Sequence, residues 1–165
     1  MELKSLKSYA LLENVLFLKK NALFSTIKTS ELSAVAAIAE ELSFHDGEEI
    51  VKENDPGDSA FIIKEGRIKI VKKTPDNRCI NLAELASGDF FGEMSLFDEA
   101  TRSATAVALT PCIMLRLMRD DLIDVIHEYP SIAVELIKIF VKRLRAANTM
   151  IESGSGYPGF SGFSG

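Results

Sequence analysis

The sequence predicts a mainly β domain, either a sandwich or a barrel, with helices at both ends of the chain. Two observations predict this fold class. Between residues 43 and 118 the apolar residues fall in short alternating runs bounded by Gly, Pro and Asx turns, a pattern typical of antiparallel strands. Before and after this region they recur at helical spacing instead. The length of 165 residues suits a single domain with its own hydrophobic core.

The N-terminal segment, residues 1–22, is predicted to form one or two lead-in helices, because its apolar residues lie three and four apart between lysines. A further helix is expected to follow, with Thr29 or Ser30 as its N-cap. The predicted apolar face of that helix consists of Leu32, Val35, Ile38, Ala39 and Leu42. Both helical segments need another element to pack against.

The central region contains alternating runs that indicate individual strands, such as 60–64, 67–72, 78–82 and 112–117. Pro, Gly and Asx residues lie between them, at 55–58, 65–66 and 74–77. Tight reversals need residues that supply a fixed or positive φ, so these positions are predicted turns.

Helical spacing returns after Arg119, where Asp120 and Asp121 favour a helix start, and again after Pro130, which suits the first turn of a longer helix. The longer helix has an apolar stripe made of Ala133, Ile137, Phe140, Leu144, Ala147 and Ile151, widened by Ile132, Val134, Leu136, Ile139 and Val141. We expect so wide an apolar surface to contact both the barrel and another subunit, which predicts a homodimer.

The overall charge and hydropathy exclude several classes of partner. The formal net charge is −5 and the sequence pI is about 5.1, so no overall positive field attracts DNA, RNA or anionic lipid. No apolar run reaches transmembrane length, and the apolar stretch near the N-terminus lacks a signal-peptide cleavage site. We therefore expect a cytoplasmic protein with neither a DNA nor a membrane partner.

The sequence also argues against a metal site and against an enzyme. Cys79 and Cys112 are too few for a zinc or iron–sulfur site and are predicted to be reduced core residues. His45 and His127 lie far apart and form no metal-binding pair. Since no nucleophile–base pair is evident either, we predict no catalytic residues, no metal and no cofactor.

The stretch 88–106, GDFFGEMSLFDEATRSATA, carries the functional signal. Gly92 permits close approach of the backbone to a ligand, and the free amides of Glu93, Met94 and Ser95 offer an anion site. Arg102 is predicted to begin the next strand beside an interior, where a guanidinium needs an anionic partner. Glu93 near the same anion is compatible only with a neutral donor, such as a sugar hydroxyl.

On these residues the stretch resembles the phosphate-binding cassette of the cyclic-nucleotide-binding family, which includes catabolite-activator-type regulators, cyclic-nucleotide-dependent kinases and gated channels. Residues 91–96, FGEMSL, match the family's FGE-aliphatic-small-aliphatic pattern, and Arg102, Ser103 and Ala104 follow at the family spacing. The resemblance implies that Arg102 binds the cyclic phosphate and Glu93 the ribose 2′-hydroxyl. It implies that the amides after Gly92 bind the remaining phosphate oxygens.

The likeness extends over residues 23–151 and implies a jelly-roll barrel, a double-stranded β-helix, with a C-terminal helical lid. It divides the chain into lead-in helices at 1–22, the nucleotide-binding barrel with its C-terminal helices at 23–151, and a Gly/Ser-rich tail at 152–165 that is predicted to be disordered. By the same resemblance Ile70, Leu82, Ala83 and Phe91 are expected on the apolar side of the pocket. Activator-type relatives carry a helix-turn-helix domain after this helix, and we expect none in the tail.

The ligand is expected to be cyclic AMP or cyclic GMP, and the sequence does not decide between them. Ser103 stands where cyclic GMP binders often carry a hydroxyl and where some cyclic AMP binders carry Ser. Asn148 is the candidate base contact on the last helix. We therefore predict a regulatory sensor that moves its C-terminal helix on binding and thereby alters dimer or effector contacts. The alternative is a degenerate barrel that acts as a protein-interaction module without a cyclic nucleotide.

Overall fold

The computed structural model describes residues 2–21 and 24–153. Helix α1 spans Glu2–Lys20 and helix α2 spans Thr29–Ile38. The prediction of an N-cap at Thr29 or Ser30 is wrong, because Lys28 holds that position without a side-chain cap. Helix α2 also ends before Leu42, which belongs instead to the first strand, where it lies opposite Met114. Most of the predicted tail, 154–165, lies outside the described residues.

Within the described ranges the chain forms eight strands in two four-stranded sheets. The strands are β1 Glu40–Phe44, β2 Glu49–Val51, β3 Ser59–Glu65, β4 Arg67–Lys73, β5 Cys79–Ala86, β6 Phe90–Phe91, β7 Thr105–Ala108 and β8 Cys112–Met118. The first sheet has the order β1-β8-β3-β6 and the second β2-β7-β4-β5, with antiparallel pairing throughout. Two antiparallel sheets with flanking helices confirm the predicted jelly-roll fold.

Strand β3 is buried on both faces of the first sheet, which explains its unbroken apolar run. Successive side chains of a strand point to opposite faces. On β3, Ala60 and Ile62 pack into a helical core with Leu18, Leu32 and Leu136, whereas Phe61 and Ile63 pack between the sheets. The inter-sheet core also contains Ile68, Leu85, Phe91, Ala106 and Met114. The helices and the barrel therefore share one wall, built by β3 and β8.

The C-terminal helices are α4, Arg119–Glu128, and α5, Pro130–Ser153, so both predicted helix starts are confirmed. The face of α5 that is buried against the helical core carries Ile132, Leu136 and Ile139. The exposed apolar residues are Val134, Ile137, Val141 and Leu144. The core contact thus uses mainly residues predicted to widen the stripe, whereas of the predicted stripe Phe140 packs partly against that core and Ile137 and Leu144 are exposed. The side chains of Ala147 and Ile151 lie outside the described ones.

The cysteines differ from each other in their surroundings. Cys112 is buried on β8, as predicted, whereas the prediction that Cys79 is a core residue is wrong. Cys79 starts β5 and lies opposite Lys73, at the end of a hairpin that extends past the core. Among residues 2–21 and 24–153 no helix is both long and apolar enough to span a bilayer.

Candidate functional site

A pocket opens where β6 and the segment 92–104 meet the second sheet. It is named here the Arg102 pocket, and its lining is Val51, Ile70, Phe91, Gly92, Glu93, Met94, Ser95, Asp98, Ala100, Thr101, Arg102, Ser103 and Ala104. Most of the predicted binding residues therefore lie together. The predicted residues outside this lining are Leu82, Ala83 and Asn148: Ala83 is buried between the sheets, Leu82 packs partly against that core, and Asn148 is exposed on α5.

Arg102 lies in the loop before β7 rather than in the strand itself, which corrects the prediction that it opens the strand. The loop is fixed by backbone pairing to the 54–56 segment. The Arg102 N–H donates to the Asp55 carbonyl at 2.8 Å, and the Asn54 N–H donates to the Arg102 carbonyl at 2.9 Å. These two backbone hydrogen bonds therefore fix the position of Arg102 independently of its side-chain contacts.

The Arg102 side chain is only 6% exposed and is held mainly by neutral groups. Nη1 donates to the Ser59 carbonyl at 2.7 Å, and Nη2 donates to Ser59 Oγ at 3.0 Å. The Asp58 carboxylate lies 3.8 Å from Nη2, and the Phe61 ring centroid lies 5.8 Å from the guanidinium carbon. Burial lowers the pKa of Arg102 most, the Asp58 carboxylate raises it, and the Arg119 guanidinium lowers it again. Arg102 still remains a cation.

Gly92 packs directly against this guanidinium. Its φ is +77°, and a Cβ atom at this position would lie 2.9 Å from Arg102 Nη1. Glycine supplies both the left-handed backbone and the space for the arginine. The short helix α3, Met94–Phe97, begins immediately after it, with Glu93 as its N-cap. Glu93 is 5% exposed and lines the pocket beside Arg102.

The 92–98 segment is clamped to the preceding loop. A Cβ on Gly57 would collide with Oγ and Cβ of Ser95, so the Ser95 side chain packs directly against the Gly57 backbone. Arg119 at the start of α4 donates from Nε to the Ser95 carbonyl at 2.9 Å and from Nη2 to the carbonyls of Gly57, Ser95 and Asp98. The sequence reasoning missed this role, because only the fold brings positions 57, 95 and 119 together.

Sequence reasoning also missed four lining residues, Val51, Asp98, Ala100 and Thr101. Asp98, Ala100 and Thr101 lie inside the stretch 88–106, so their position in the motif was the available signal. Val51 is on β2 and reaches the pocket through pairing of β2 with β7, opposite Ala106. No local pattern in the sequence marks that contact.

The pocket segment touches the C-terminal helix through one aromatic pair. The rings of Phe97 on α3 and Phe140 on α5 have centroids 5.7 Å apart and an edge-to-face angle of 86°. Such pairs contribute about 0.5–1.5 kcal/mol beyond the burial of their area. Helix α3 therefore contacts α5 directly at this pair.

Comparison with known families agrees with this geometry. Residues 41–129 match the model of a family described as the cyclic nucleotide-binding domain. The match includes every lining residue of the Arg102 pocket.

Relatives of known function are similar over much of the chain. A CRP-like cAMP-activated global transcriptional regulator of Mycobacterium tuberculosis is 30% identical over 79% of this chain and 58% of its own length. A cAMP-dependent protein kinase regulatory subunit of Dictyostelium discoideum is 34% identical over 62% of this chain and 33% of its own. The chain thus spans less than two thirds of either relative.

Among solved structures, the N-terminal domain of a transcriptional regulator from Streptomyces coelicolor superposes with a TM-score of 0.70 at 31% identity, covering 90% of this chain and 99% of that one. The catabolite activator protein of Thermus thermophilus gives a TM-score of 0.73 at 29% identity, over 79% of this chain and 61% of that one.

Proposed function

This chain belongs to the cyclic nucleotide-binding domain family, and we propose from that premise that it binds cyclic AMP or cyclic GMP in the Arg102 pocket and acts as a regulatory sensor. It carries out no catalysis in this proposal and needs no metal or cofactor. Its relatives are named as a transcriptional regulator and a kinase regulatory subunit, which supports a regulatory role. We propose the cytoplasm as its compartment.

The observation that carries this proposal is the buried Arg102 guanidinium on the pocket wall. A buried cation is stable only with hydrogen bonds and an opposing charge. Ser59 supplies neutral acceptors, while Asp58, whose side chain is 64% exposed, supplies a carboxylate at 3.8 Å. A phosphate that enters the pocket adds charge-assisted hydrogen bonds to Arg102, each worth about 1.5–3 kcal/mol.

The remaining lining fits the rest of a cyclic nucleotide. Glu93 accepts a hydrogen bond from the ribose 2′-hydroxyl, since a carboxylate there would repel the phosphate but attract a neutral donor. The amides of Glu93 and Met94 bind the other phosphate oxygens. The Ser95 N–H, which the sequence predicts to be free, already donates to the Gly92 carbonyl at 3.3 Å. Ile70, Val51 and Phe91 give the pocket an apolar side, with Ser103 and Ala104 beside Arg102. Leu82 and Ala83 support that side from the core.

Ligand binding is proposed to move α5 through the contact between Phe97 and Phe140. Asn148 on α5 then reaches the base when the helix closes. The exposed residues Val134, Ile137, Val141 and Leu144 alternate in steps of three and four, as in a coiled-coil seam. We propose that this seam pairs α5 with a second copy, and that closure changes the dimer or an effector contact. The proposed division of the chain is lead-in helices at 1–22, the nucleotide-binding barrel with its C-terminal helices at 23–151, and a Gly/Ser-rich tail at 152–165.

Thermal unfolding with cyclic AMP, cyclic GMP, linear AMP or no addition tests the proposal. A ligand at a hundred times its dissociation constant adds about 2.7 kcal/mol to the free energy of unfolding. A rise in Tm with one cyclic nucleotide but not with linear AMP supports the sensor and identifies its ligand. No rise with any nucleotide favours the alternative, an interaction module that has lost its ligand.

A further inference from the structure

We infer that Arg119 is a positioning residue for the nucleotide. Its guanidinium fixes residues 95–98 against the 57–58 loop and thereby holds the surroundings of Arg102 in the geometry that binds a phosphate. This inference rests on the proposed function, because it explains how the same pocket reaches its affinity. Arg119 itself lies outside the lining of the Arg102 pocket.

Arg119 bridges two segments that are distant in sequence. Its Nε donates to the Ser95 carbonyl at 2.9 Å, and Nη2 also reaches the carbonyls of Gly57 and Asp98. The backbone N–H of Arg119 donates to the Asp58 carbonyl at 2.7 Å. One residue therefore ties the 57–58 loop, the 95–98 segment and the start of α4 together.

Both segments that Arg119 joins are part of the surroundings of Arg102. In the first, Asp58 and the adjacent Ser59 contact the guanidinium of Arg102. In the second, Ser95 and Asp98 line the pocket. If the segments separate, the distances from Arg102 and from the backbone of 92–95 to a bound phosphate are no longer fixed. Affinity then falls even though every lining side chain is still present.

Only a guanidinium matches this arrangement of acceptors. Its fork presents several N–H donors in fixed directions, whereas the ammonium of Lys is a single point of charge. Arg119 is also close enough to lower the pKa of Arg102, so the two cations reinforce each other's attraction for an anion. Lys at position 119 keeps the charge but loses the fork, so it should replace Arg119 incompletely, whereas Gln loses both the charge and the fork.

The test compares Arg119→Gln and Arg119→Lys with Arg116→Gln. Arg116 is three residues earlier on β8 and pairs with Glu40, so its substitution removes the same charge away from the pocket. For each protein the Tm without ligand is measured together with the dissociation constants for cyclic AMP and cyclic GMP. The two phosphorothioate diastereomers of the tighter ligand are also titrated, because they distinguish the two exocyclic phosphate oxygens.

We expect Arg119→Gln to weaken nucleotide binding about ten- to a hundredfold and to move the ratio of the two diastereomer dissociation constants toward one. Arg119→Lys should lie between it and the wild type, and Arg116→Gln should match the wild type. Wild-type affinity in Arg119→Gln would overturn the inference. So would weaker binding with a lower Tm but an unchanged diastereomer ratio, since Arg119 would then be only structural.

If Arg119→Gln does not fold, Arg119→Lys is judged by the same ratio. Different results would overturn the proposed function and this inference. A wild-type protein that binds no cyclic nucleotide would overturn both, whereas binding by the wild type with no dependence on Arg119 would overturn this inference alone.

Discussion

Gly92 and Arg102 are in direct contact: a Cβ atom added to Gly92 would lie 2.9 Å from Nη1 of Arg102. It would also lie 3.2 Å from the Ser59 carbonyl, the acceptor of that same Nη1. The side chain proposed to bind phosphate therefore occupies space that only a glycine leaves open. The contact joins the two parts of the motif that are separated by a loop in the sequence.

Gly92→Ala should reduce nucleotide affinity about tenfold or more, because the methyl group must displace the Arg102 guanidinium. The positive φ adds a backbone cost of about 1 kcal/mol. Gly47→Ala is the matched control, since Gly47 has a φ of +84° and no atom within 4 Å of the added Cβ. Calorimetric titration and thermal unfolding of both variants separate the steric effect from the backbone effect. Equal affinities in the two variants would contradict the proposed contact.

Arg102→Ala should lose about a hundredfold or more in affinity for a cyclic nucleotide while the protein remains folded. Its removal takes a buried cation out of the core, which offsets the lost hydrogen bonds to Ser59. Arg102→Lys should retain part of the affinity, since charge remains but two-point geometry is lost. Arg78→Ala, at an exposed arginine paired with Asp76, serves as the control in the same titration. Unaltered binding by Arg102→Ala would remove this arginine from the phosphate site.

Gly57→Ala should destabilise the protein by about 1–3 kcal/mol, because its Cβ would lie 2.1 Å from Ser95 Oγ and 2.4 Å from Ser95 Cβ. Adding Ser95→Gly removes both of those atoms and should restore much of the stability. Ser95→Gly alone should cost about 0.5–1 kcal/mol, since glycine is unfavourable in α3. Chemical denaturation of the four proteins gives the coupling energy. A coupling energy near zero would show that the two residues do not meet as described.

Leu144→Gln should weaken self-association by about tenfold or more if α5 pairs with a second copy, because Leu144 lies 63% exposed on the proposed seam. Ile137→Gln should act in the same direction. Lys142→Gln is the control on the same helix, where an exposed charged side chain is replaced. Sedimentation equilibrium with and without nucleotide measures the change. A wild-type protein that stays monomeric at high concentration would exclude the pairing.

Glu135 should make folding stability sensitive to acid. Hydrogen bonds from Lys138 and then Thr26 lower the pKa of Glu135, so the folded state favours its charged form. That contribution is present above the carboxyl's unfolded pKa, about 4.3, and disappears as pH falls through the lower folded pKa. Glu135→Gln should therefore have a lower Tm than the wild type at pH 7, with the difference shrinking below about pH 4. A difference in Tm that does not change with pH would rule out this linkage.

The fold class and the family could be predicted from the sequence because both depend on local signals. Alternating apolar runs, turns rich in Gly and Pro and the fixed spacing of Gly92, Glu93 and Arg102 all lie within short windows. Helix starts at Arg119 and Pro130 were also predictable, since acidic residues and Pro have direct local effects at the first turn.

Local patterns were less reliable where pairing or burial decided the outcome. The second helix was predicted to continue to Leu42, yet pairing of β1 with β8 takes that residue into the sheet. The strand-like pattern around Cys79 predicts a core residue, but Cys79 is exposed because its hairpin extends beyond the core. Which face of α5 is buried also depended on the position of the barrel wall, so Ile132, Leu136 and Ile139 face inward.

The sequence by itself therefore determined the β-rich fold class, the family and the residues of the 91–104 motif, because each is encoded over a few neighbouring positions. Only the tertiary structure decided that Ser59 and Asp58 hold Arg102, that Gly57 fits against Ser95 and that Arg119 fastens the two segments together. These contacts join residues more than twenty positions apart, and their geometry follows from strand pairing and close packing rather than from any local preference.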